Sequence, residues 1–130
     1  MTTPIIGTWR LVATRAWDPE NKPLPAPYGP EPLGLVTLTE NGRMIAALCD
    51  GRSDQPDDAA VREYVSYMGT YQYDGATLST RVDGTSDAPR QGSDQVRGVR
   101  WNGERLILTP PPRPKNGTIE HRELTWERIA

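Results

Sequence analysis

Apolar and polar residues alternate along most of this chain with the two-residue period of half-buried strands. In Gly7–Trp17 the positions Trp9, Leu11 and Ala13 fall on one face, and Thr8, Arg10, Val12 and Thr14 on the other. Two runs, 33–39 and 43–50, flank Glu40-Asn41-Gly42, where Asn-Gly supplies the positive φ values of a tight hairpin. The same arrangement returns with 68–73 and 77–82 around Asp74-Gly75, and with 95–101 and 105–109 around Asn102-Gly103. A final run covers 118–129. The order is one strand, three hairpins and one strand. It predicts an all-β fold, an eight-stranded antiparallel up-and-down barrel whose first and last strands pair and leave no exposed edge.

Three segments interrupt the alternation. DPENKPLPAPYGPEP (18–32) holds six prolines, which remove backbone donors and favour irregular extended chain, so a long loop or lid is expected. Residues 57–65, DDAAVREYV, place acids in a first turn ahead of apolar residues at helical spacing, which predicts one short helix. A second Pro-rich loop covers 110–114. No repeat or composition break divides the chain, so residues 1–130 read as one domain.

Charge and composition narrow the functional classes. Fifteen basic and seventeen acidic residues are scattered with a net charge of −2, so no footprint for nucleic acid or an anionic membrane is visible. No apolar run approaches the ~20 residues of a spanning helix. Cys49 is the only cysteine, and MTTPIIGTWR lacks the basic and apolar regions of a secretory signal; a cytoplasmic location is expected. One His and one Cys cannot build a structural zinc site, so neither metal nor cofactor is expected. Gly-x-Ser-x-Gly, P-loop and dinucleotide motifs are absent. With no Phe, four Trp and five Tyr supply every aromatic ring, and each carries a polar atom that suits a wet interior.

An ordered set of motifs resembles the small lipocalin-like domain family, a branch of the calycin barrels. It comprises Gly7-Thr8-Trp9-Arg10-Leu11, Pro27-Tyr28-Gly29, Asn41-Gly42-Arg43-Met44, Gly69-Thr70-Tyr71, Asp94-Gln95-Val96-Arg97, Leu106 to Pro111, and His121-Arg122 with Leu124-Thr125-Trp126-Glu127-Arg128. The resemblance implies that Trp9 closes the barrel floor with Arg128 of the last strand packed over it. Strand parity agrees, since Arg122, Leu124, Trp126 and Arg128 share one face. The family often has a histidine where this chain has Thr80, which weakens any histidine chemistry carried over by resemblance.

Parity also selects the polar residues that face the interior. Tyr67, Tyr71 and Tyr73 share a face, as do Leu78, Thr80 and Val82, while Gln95, Arg97 and Trp101 join Arg122 and Trp126. Few acids share these faces, with Asp94, Glu104 and Glu120 near strand ends, so Arg97 and Arg122 call for an acceptor. A ligand carboxylate, phenolate, enolate or carbonyl suits a guanidinium, whereas snorkelling to the rim or ordered water would satisfy it without one.

Two functions follow. The first is a barrel that binds a small, partly apolar, oxygen-bearing molecule among Tyr67, Tyr71, Tyr73, Thr80, Gln95, Arg97, Trp101, Arg122 and Trp126. The second is a cofactor-free isomerase, cyclase or dehydratase acting on a small natural product. There Arg97 would stabilise an oxyanion while Tyr71, Tyr73, His121 or a carboxylate moved the proton. The single histidine, His121, has outward parity, and no nucleophile–base pair is legible, which favours binding. A structural or homodimer-forming domain is a third reading.

Overall fold

The protein, described from a computed structural model over residues 4–53 and 63–130, builds almost entirely from strands. In chain order they are β1 (Gly7–Trp17), β2 (Pro23–Leu24), β3 (Pro32–Leu38), β4 (Arg43–Asp50), β5 (Tyr64–Tyr73), β6 (Thr77–Thr85), β7 (Asp94–Asn102), β8 (Arg105–Thr109), β9 (Arg113–Lys115) and β10 (Thr118–Arg128). A 3-10 turn, Ala88–Arg90, precedes β7. Eight strands close an antiparallel barrel, because β1 pairs with β3 on one side and with β10 on the other. The short β2 and β9 lie outermost in the order, where Pro23 and Pro114 lack donors that an edge does not need.

Two expectations are corrected. A bulge between Leu11 and Ala13 inserts one residue opposite β10, so the inward face passes from Trp9 and Leu11 to Thr14 and Ala16, leaving Ala13 exposed. The helix expected over 57–65 falls for the most part outside the described residues, and its last positions, Tyr64 and Val65, open β5. There Val65 and Tyr67 pair with Leu48 and Ala46 of β4, so ladder pairing overrides the local helical spacing.

The core fills the barrel from the end where β1 begins. Trp9, 1% exposed, donates its Nε1–H to the Ile5 carbonyl at 3.0 Å, and the Arg128 guanidinium lies 4.3 Å from its ring centroid. Arg128 also donates to the carbonyls of Pro4 and Ile6, tying the chain's start to its last strand. Trp101 tilts against Trp9 with centroids 5.8 Å apart. Leu38, Val36, Met44, Leu78 and Leu106 complete the packed half. A cavity also opens toward the opposite end, where β1 finishes.

Candidate functional site

The wall of the barrel is incomplete at that opposite end. Strand β8 pairs with β7 only over Gly98–Asn102 and with β10 only over Leu124–Trp126. Past Thr109 the chain continues through Pro110 and Pro111, which cannot extend a ladder as donors. A cavity of about 210 Å³ opens here. Its apolar side is made by Leu48 of β4, Val65 of β5, Leu108 of β8, and Leu124 and Trp126 of β10. Its polar side is made by Tyr28, Tyr67, Arg90, Arg97, Arg113 and Arg122.

Tyr28 reaches the cavity because the Pro-rich segment after β2 folds back over the mouth. Thr14 donates its hydroxyl to the Pro27 carbonyl at 2.6 Å, and Glu63 accepts the Tyr28 N–H at 2.6 Å. Tyr28 is buried at a φ of +64°, a left-handed conformation uncommon for a bulky side chain. Burial raises its pKa, with Arg122 acting the other way, so the hydroxyl stays protonated at neutral pH.

The four arginines differ in what they touch. Arg90 binds Asp87 at 2.9 Å and the Gln95 Oε1 at 2.5 Å, with its guanidinium 5.7 Å from the Tyr67 ring centroid. Arg122 donates through Nε to Glu120 at 2.8 Å. Its Nη2 lies 2.6 Å from the same oxygen in an ion pair. Arg113 and Lys115 share that carboxylate at 3.5 and 3.4 Å. Burial alone would raise the pKa of Glu120, yet the hydrogen bond and charge of Arg122, aided by Lys115, hold it below the usual carboxylate range. Arg97 has no carboxylate partner among the described residues; it donates through Nη1 to the neighbouring Val96 carbonyl at 3.0 Å. Burial lowers its pKa, and the charges of Arg90 and Arg122 add to that.

The family model of the lipocalin-like domain matches residues 6–129. The chain belongs to this family. No curated protein matches it. In this lipocalin-like barrel the Trp9–Arg128 pair occupies the packed end, and the cavity lies at the other.

The residues singled out by strand parity separate accordingly. Tyr67, Arg97, Arg122 and Trp126 line the cavity of the lipocalin-like barrel, and Gln95 acts on it through Arg90. Tyr71 and Tyr73 sit toward the packed end, donating to the carbonyls of Thr39 at 2.6 Å and Gly75 at 3.4 Å. Thr80 is buried against the Met44 sulfur at 2.7 Å, and Trp101 packs on Trp9. None of these four lines the cavity. His121 lies outside the barrel, stacked on Trp17 with ring centroids 5.8 Å apart.

Four residues of the site escaped the sequence reading. Tyr28 and Arg113 come from Pro-rich segments that have no period to read, and Arg90 from the turn before β7. Glu120 is different: it shares parity with Arg122 and is 2% exposed, so the acid thought to lie at a strand end is Arg122's inward partner. Among the described residues no group of three His, Cys, Asp or Glu could hold a metal ion.

Proposed function

We propose that this lipocalin-like barrel binds a small, partly apolar, oxygen-bearing molecule in the cavity between β5, β7 and β10. The observation that carries the reading is the chemistry of the cavity wall. Five aliphatic and indole side chains form one side, and the other offers guanidinium and phenol donors with no free carboxylate. The hydroxyls of Tyr28 and Tyr67 have no hydrogen-bond partner among the described residues, and Arg97 has no acid. An apolar lining with a few convergent polar groups is the usual make-up of a ligand pocket. The raised pKa of Tyr28 keeps it a donor, which suits holding an acceptor better than abstracting a proton.

Filling the cavity from its apolar side tests the proposal. Val65→Phe should abolish binding of single-ring aromatic compounds, followed by ligand-observed NMR, while the thermal melt stays cooperative. Equal binding by wild type and Val65→Phe would place those compounds elsewhere and overturn it.

A further inference from the structure

We infer that the molecule held in the cavity is a single-ring organic carboxylate, and that Arg97 is kept without an acid in order to take its charge. The inference rests on the cavity being a small-molecule site and adds the ligand's charge, size and principal contact. Three observations carry it.

The first is the charge balance. Arg90, Arg97, Arg113, Lys115 and Arg122 stand at or beside the cavity, against Asp87, Glu120 and Glu63 as acids among the described residues, Glu63 accepting the Tyr28 N–H. Asp87 is occupied by Arg90, and Glu120 is divided among three cations. A half-buried guanidinium left over from that balance is unfavourable, and the lowered pKa of Arg97 has the same cause. One bound monoanion would give Arg97 the counter-charge it lacks.

Independent of charge, one buried donor lacks an acceptor. Trp126 Nε1 makes no hydrogen bond, although its residue is 2% exposed and lines the cavity. Buried donors in folded proteins nearly always have a partner. A carboxylate offers about four lone-pair sites and accepts a guanidinium in bidentate fashion. It can therefore take two N–H groups of Arg97 and still accept from Trp126, three bonds where a neutral hydroxyl has two lone pairs.

Size supplies the third. A cavity of about 150 Å³ is enough for benzene, while pockets for drug-sized ligands run to about 300–1,000 Å³. The 210 Å³ here fits one ring with a short acidic arm. The ring would rest on Leu48, Val65, Leu108 and Leu124.

The test is calorimetric titration at neutral pH with 3-phenylpropanoate, 3-phenylpropan-1-ol and the corresponding primary amine. The carboxylate should bind at least tenfold more tightly than the alcohol, and the ammonium more weakly than either. In Arg97→Met the preference for carboxylate over alcohol should vanish while the alcohol still binds, and the ligand-free melting temperature should hold or rise. Addition of 3-phenylpropanoate should also shift the Trp126 indole N–H signal downfield in a heteronuclear NMR spectrum, the signal being assigned by its loss in Trp126→Phe. Equal affinity for carboxylate and alcohol in the wild type would overturn the inference and leave the small-molecule reading standing. No binding by any of the three would overturn both. A fall in melting temperature in Arg97→Met with loss of all binding would make Arg97 a structural residue and overturn its role.

Discussion

Glu120 and Arg122 stand two positions apart on β10, which in a strand puts both side chains on the inner face. Their contact is buried, so removing one partner leaves the other charge unpaired away from water, and Arg113 and Lys115 rely on the same carboxylate. The folded-state pKa of Glu120 lies below its unfolded value of about 4.3, so over that interval the unfolded chain takes up the proton more readily. The stability Glu120 contributes is therefore present above about pH 4.3 and is lost as pH falls through the depressed folded value. Glu120→Gln should lower stability at neutral pH by about 2 kcal/mol, since a hydrogen bond to a charged group is worth about 1.5–3. Urea melts across the acidic range should show the gap between the two proteins closing as pH drops below about 4. A gap unchanged down to the lowest pH would mean that the carboxylate's charge contributes nothing.

At the level of strands, most of the architecture was legible because it repeats. Period-two alternation and three turns carrying Asn-Gly or Asp-Gly mark six of the barrel strands, and β1 and β10 follow from the runs that remain. Bulges were not legible, since one inserted residue leaves each half of a strand with a correct alternation and only changes which half faces in. That is what separates Ala13 from Trp9 and Leu11. A second bulge lies between Met68 and Gly69, where β5 passes β6. There a Cβ on Gly69 would overlap the Arg81 carbonyl oxygen, a backbone atom that cannot swing away. Gly69→Ala should accordingly cost about 3 kcal/mol or more, seen as a large fall in the denaturation midpoint. Gly98→Ala, also in a strand, would place its Cβ 3.7 Å from the Thr109 carbonyl oxygen, an ordinary contact. It should leave stability within about 0.5 kcal/mol, and a comparable loss at both positions would show that strand glycines matter here for flexibility and not for the close crossing.

Across the whole molecule, a small net negative charge conceals an uneven distribution. The chain sums to −2, yet among the described residues the cations at the cavity outnumber their acids. Composition could not reveal this, because it depends on which loops meet at the open end: Arg90 arrives from the turn before β7, Arg113 from β9 and Arg122 from β10. A cleft lined by one sign of charge concentrates ligands of the other sign and raises their association rate by ten-fold or more at low salt. Raising ionic strength from about 0.01 M to about 1 M shortens the screening length from about 30 Å to about 3 Å, which removes long-range attraction while leaving contacts inside the cavity largely intact. For 3-phenylpropanoate, stopped-flow tryptophan fluorescence should then show an association rate falling roughly tenfold over that range, with the dissociation rate changing far less. The neutral alcohol should associate at a rate indifferent to salt. If salt instead raised dissociation and left association unchanged, the charge at the mouth would act only after the ligand had entered, and the arginines would be anchors without any part in capture.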